Sequence, residues 1–83
     1  MDPRWFTFAQ ACRPEFDKCS FQGELIAACG GAEDIAWALF FHMGAQSMSW
    51  LQRSIPALDG SVPSHLIATG HGDRVRECLW RMP

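Results

Sequence analysis

Apolar positions in this chain recur mostly every three or four residues, and proline or glycine interrupts them. The first run is Trp5, Phe8, Ala9 and Cys12, a spacing that puts all of them on one helical face. Asp2 is a good N-cap type and Pro3 suits the first helical position. The pattern therefore predicts a helix over residues 2–12. Arg13-Pro14 should end it, because a residue before proline is pushed out of the helical region. Phe21, Leu25 and Ala28 make a second stripe, with Glu24 inside it. That helix is predicted to begin at Ser20 as its cap. It should stop at Gly30-Gly31, glycine being the residue that accepts a left-handed helix end.

A third helix is predicted over residues 32–43. Glu33 and Asp34 fall in its first turn, where the helix dipole favours acids. Ile35, Trp37, Ala38, Leu39, Phe40 and Phe41 follow with almost no polar break. A helix that is apolar nearly all round is a buried one. In so short a chain it is either central or shared with a second copy, so a homodimer is expected. His42 lies in the last turn, a placement that needs no chemistry to explain it.

The second half is a rapid alternation of short helices and turns. A helix over residues 46–53 should turn Trp50 and Leu51 inward, and Ile55-Pro56 should stop it. Pro56-Ala57-Leu58-Asp59-Gly60 reads as a tight turn: proline sets one backbone angle and Asp-Gly tolerates a positive one. Leu58 should plug down into the core. Pro63 opens a fifth helix, with Ser61 or Val62 as its cap and Leu66 and Ile67 as its core contacts. Thr69-Gly70-His71-Gly72 reads as a flexible break before a last helix from Asp73. There Val75, Cys78, Leu79 and Met82 fall at i, i+3, i+4 and i+7, the cleanest period in the chain. Arg74, Arg76, Glu77, Trp80 and Arg81 lie off that stripe. The expectation is an all-α fold: one small compact bundle of about five or six short helices, in a single domain over residues 1–83.

Composition adds an aromatic surplus. The chain has 83 residues, 48% of them apolar, with four Trp and six Phe. A domain of this size buries about 60% of its unfolded surface, and each aromatic side chain covers about 150–250 Å². So large an aromatic load should leave some rings facing a partner. Net charge is −2 with no basic run, so the electrostatic footprint of nucleic-acid binding is missing. The apolar runs are too short to span a membrane, and the start lacks the basic-then-apolar order of a signal peptide. A soluble cytoplasmic protein is expected. The Cys at 12, 19, 29 and 78 are expected as reduced thiols. They form no Cys-x-x-Cys pair, and with His42, His65 and His71 they make no zinc pattern. Cys29 or Cys78 beside His42 or His71 has no local signature of a nucleophile–base pair. No metal, no cofactor and no catalytic residue is therefore expected.

One ordered set of residues carries a family resemblance. Trp50-Leu51 is followed by Pro56-Ala57-Leu58-x-Gly60, then Pro63-x-x-Leu66-Ile67, Thr69, Gly72, Val75, Leu79 and Arg81. This order and spacing resembles the toxin-binding domain of the Xre/MbcA/ParS-type antitoxins. The resemblance divides the chain into an N-terminal helical extension, residues 1–31, and an antitoxin-like region, residues 32–83. It implies an all-helical, non-enzymatic module that neutralises a RES-domain, NAD-consuming toxin by covering its active site. It also implies that Trp50, Leu51, Leu58, Leu66, Val75 and Leu79 are core, that Pro56, Gly60, Pro63 and Gly72 shape the turns, and that Arg74, Arg76, Trp80, Arg81 and Met82 meet the partner. Val62 stands where the family often has Thr, and Met82-Pro83 replaces a short Gly-containing tail. Two other functions follow from the same residues: a phage or mobile-element inhibitor that uses the fold on another host target, and a DNA-binding autorepressor fragment. The acidic balance of residues 1–34, three basic against six acidic, argues against the second.

Overall fold

The computed structural model describes residues 1–82. Among them are six α-helices and no strand: α1 (Arg4–Phe16), α2 (Gln22–Ala28), α3 (Glu33–Met43), α4 (Ser47–Leu51), α5 (Pro63–Ala68) and α6 (Gly72–Trp80). One-turn 3-10 segments at Gly44–Gln46 and Pro56–Leu58 join them. The fold is the small all-α bundle expected, about 30 × 26 × 23 Å.

The first helix begins as its sequence dictates. Asp2 Oδ1 accepts the Arg4 N–H at 2.9 Å, which satisfies a donor that a helix start otherwise leaves free. It does not end at Arg13-Pro14; it runs on to Phe16 with Pro14 inside it. Proline removes one hydrogen bond, to the carbonyl of Gln10, but Gln10 and Pro14 both lie on the exposed side, where an unpaired backbone carbonyl is not shut off from solvent. The continued turn carries Phe16 into the core, on the stripe of Trp5, Ala9 and Cys12, and its ring meets Phe40 edge-on at 6.2 Å. Burial there outweighs the local preference of Arg13.

Helix α2 starts one residue later than predicted, with Phe21 in place of Ser20 at its N-cap and no side-chain cap. Its end is as predicted. Gly31 N–H reaches Ile26 O at 2.9 Å and Gly30 N–H reaches Ala27 O at 3.0 Å, with Gly30 at φ 66° and Gly31 at φ 86°. That is a Schellman end. The same device closes α5, with His71 N–H on Leu66 O at 2.7 Å and Gly70 N–H on Ile67 O at 3.3 Å. The stretch expected as a flexible break is thus a hydrogen-bonded turn.

Helix α3 is the centre. Ile35, Ala36, Ala38 and Leu39 are wholly buried, but Phe41 is half exposed, so its apolar character is not matched by burial all round. The predicted fourth helix is split: a 3-10 turn leads into five residues of α-helix. Gly44, at φ 51°, ends α3. The fully buried Ser47 donates its hydroxyl to Gly44 O at 2.7 Å. Trp50, Leu51 and Leu58 are buried as expected, and so are Pro63, Leu66, Val75 and Leu79. Val62 precedes α5 without a side-chain cap. No single helix is long and apolar enough to cross a membrane among the described residues.

Candidate protein-contact surface

Helix α6 is held down by an apolar edge and a charged one. Val75 and Leu79 are fully buried, with Cys78 and Met82 half-buried beside them. At its far end His42 Nε2 lies 2.8 Å from Leu79 O. A carbonyl only accepts, so that ring nitrogen carries the proton.

The charged edge centres on Asp34. Its carboxylate accepts Arg76 Nε at 2.7 Å, Arg76 Nη2 at 3.3 Å and the Trp5 indole N–H at 2.8 Å. Arg76 Nη1 also donates to Asp73 Oδ1 at 3.0 Å. Burial pushes the Asp34 carboxyl up, but the Arg76 and Trp5 hydrogen bonds outweigh it and hold the group below the usual carboxylate range. The Asp34 hydrogen bond raises Arg76 in turn. One carboxylate thus joins α1, α3 and α6. Sequence reasoning saw Asp34 as a favourable first-turn acid; nothing local names partners 29 and 42 residues away.

The five residues chosen as partner-binding do not share one face. Arg76 turns inward to Asp34, its side chain only 22% exposed. Arg74 reaches back to the 56–60 turn, donating to Leu58 O at 3.3 Å and Asp59 Oδ2 at 3.4 Å. Below that bridge an open groove of about 490 Å³ runs between the turn and α6, lined by Leu58, Arg74, Cys78, Arg81 and Met82 among others. Next to it, across Glu77 and Arg81, Trp80 borders a second hollow of about 450 Å³, shared with Asp2, Arg4 and Asp73. The Arg4 guanidinium lies 5.6 Å from the Trp80 ring centre, a cation–π distance. Arg81 is highly exposed, touches Glu77 at 3.4 Å and borders both hollows.

A second aromatic surface lies across α1 and α3. Half-exposed Phe41 meets Phe8 edge-on at 6.3 Å, and Arg13 covers Trp37 at 5.2 Å. Of the tryptophans, Trp5 and Trp50 are buried and Trp37 and Trp80 are half-buried. The aromatic excess of the sequence is therefore partly on the surface. The total accessible area is 4723 Å², close to the roughly 5,000 Å² that size alone gives a folded monomer of this mass.

Three of the thiols, Cys12, Cys29 and Cys78, are poor nucleophiles. Burial, and then the charge of Asp34, pushes Cys29 up to about 12; burial also raises Cys12 and Cys78. A thiol so raised stays protonated at neutral pH. Among the described residues no group of His, Cys, Asp and Glu is placed to hold a metal ion. Comparison with protein families, with characterised proteins and with solved structures finds no match to this chain.

Proposed function

We propose that this chain is a non-enzymatic protein-binding module, acting in the cytoplasm, that grips a partner through the outer side of α6 and the groove beside it. The observation that supports this is how α6 divides its side chains. Val75, Leu79 and Arg76 are committed inward, while Arg74, Trp80, Arg81 and Met82 stand around two open hollows. Arginine and tryptophan are the types enriched at binding hot spots. The antitoxin-like order of residues from Trp50 to Arg81 names the partner class: a RES-domain, NAD-consuming toxin, masked at its active site.

The test is co-expression with such a toxin, read as growth rescue and co-purification. A bound complex that Trp80→Ala or Arg81→Ala weakens by roughly thirtyfold or more supports the reading, since hot-spot truncations cost at least about 2 kcal/mol. Full binding by a double Trp80→Ala, Arg81→Ala variant that is still folded would remove α6 from the interface. Phe41 and Phe8 suit the expected second copy of this chain; sedimentation at micromolar concentration showing only the 9.3 kDa species would exclude it.

A further inference from the structure

Helix α6 is less firmly buried than the element it lies against. It places two fully buried side chains in the core, Val75 and Leu79, whereas α3 places four. The chain enters α6 through the Gly70 turn, and the hydrogen bonds of that turn belong to α5. What compensates is the Asp34 cluster. We propose that Asp34 is a latch on α6: ionised, it holds the helix on α3, and when neutralised it lets α6 open locally while α1 and α3 keep their structure.

The groups around Asp34 are an arginine, an indole, a thiol and one further carboxylate, Asp73. From α6 come Arg76 and, through it, Asp73, which also lies 3.9 Å from the amino terminus. From α1 comes the Trp5 N–H, which does not titrate. After α2 comes Cys29, whose thiol stays protonated. On its own helix the Ile35 N–H also points to it. Arginine keeps its charge at any ordinary pH. The far end of α6 is tied by His42 to Leu79 O, a contact that protonating His42 preserves, because Nε2 is already the donor. Losing the Asp34 charge therefore loosens the start of α6 first and leaves Arg76 partly buried without its main partner. A latch of this kind would regulate the contact surface proposed above, and its use rests on that reading.

Amide hydrogen exchange tests the latch without any partner. Asp34→Asn keeps an oxygen to accept a hydrogen bond and removes the charge. At fixed pH its residues 72–80 are expected to exchange roughly tenfold faster or more, the size of effect that losing a charge-assisted hydrogen bond gives. Residues inside α1 and α3 should change distinctly less. Restoring the pair in reverse, Asp34→Arg with Arg76→Asp, should recover protection of α6. Equal acceleration in α1, α3 and α6, or none in α6, would overturn the latch and leave Asp34 an ordinary structural residue. If Asp34→Asn does not fold, the unaltered chain is titrated instead. The Trp5 indole N–H resonance reports the Asp34 charge, and α6 protection must fall with it; a fall at a different pH overturns the latch. Faster exchange of α6 with toxin binding unchanged would sink the contact role of α6 and keep the latch, and lost binding with α6 exchange unchanged would do the reverse.

Discussion

Helices α1 and α6 both pack on α3 and both donate to Asp34, yet they are held by different physics. Helix α1 buries Trp5, Ala9, Cys12 and Phe16 and adds ring contacts from Phe8 and Phe16 to Phe41 and Phe40. Its hold is apolar area and shape, which salt and pH hardly touch. Helix α6 buries two side chains completely and relies on the Arg76–Asp34 pair for its start. Charge pairs depend on geometry and on the ionised state of both members. The more firmly buried helix is thus the scaffold, and the more conditional one carries the exposed Arg and Trp side chains.

Truncation should separate the two most sharply. Trp5→Ala removes a fully buried ring and a donor to Asp34, and is expected to cost about 3–5 kcal/mol. Arg76→Ala removes charge-assisted hydrogen bonds from a side chain that is partly exposed, and should cost about 1–3 kcal/mol. Urea unfolding measures both. Equal losses would mean that α1 and α6 are held alike.

Acid should act on the same contrast with a smaller effect. The folded-state pKa of Asp34 is depressed. Its contribution is therefore fully present above the unfolded value, near the ordinary 3.8, and is lost as pH falls through the lower folded value. Stability contributed by the latch should fall only in that acid window, and the loss should be smaller in Arg76→Ala, where only the Trp5 and Ile35 N–H groups still hold Asp34 low. Urea midpoints of both proteins across the window measure it; an identical acid loss in the variant would assign the effect to other carboxylates.

The two Schellman ends differ in what surrounds them. A Cβ on Gly30 would lie 3.0 Å from Ile67 Cγ2, on a stiff β-branched side chain, as well as at φ 66°. A Cβ on Gly70 meets nothing within 4 Å, although φ is 84°. Gly70→Ala should cost about 1–2 kcal/mol from backbone strain alone, and Gly30→Ala measurably more. Smallest of all, Gly23→Ala in α2 has open space and no positive φ, so it should stabilise by about 0.4–1 kcal/mol. A loss there would show that α2 depends on the freedom of that glycine.

Much of the fold was legible because local physics decides it. Asp2-Pro3 starts α1, Gly30-Gly31 ends α2, Pro63 opens α5, and the three- and four-residue period of Val75 and Leu79 marks the inner side of α6. The errors fell where a distant contact overrides a local preference. Pro14 stays inside α1 because Phe16 is buried beyond it. The contact residues were legible only as types. That Arg76 faces inward and Arg81 outward depends on where Asp34 comes to lie, and neither side chain differs in its own propensity.

By itself, then, the order of residues determined that this chain is helical, where most of its turns fall and which side chains are core. These follow from backbone angles and from periodicity, which act within a few residues. Tertiary structure alone decided that one acid should join three helices, that the arginines of α6 should be divided between an internal pair and a surface, and that Phe41 should be left half in water. A charge finds its partner by position in space, and spacing along the chain holds no record of which distant groups packing will bring within about 3 Å.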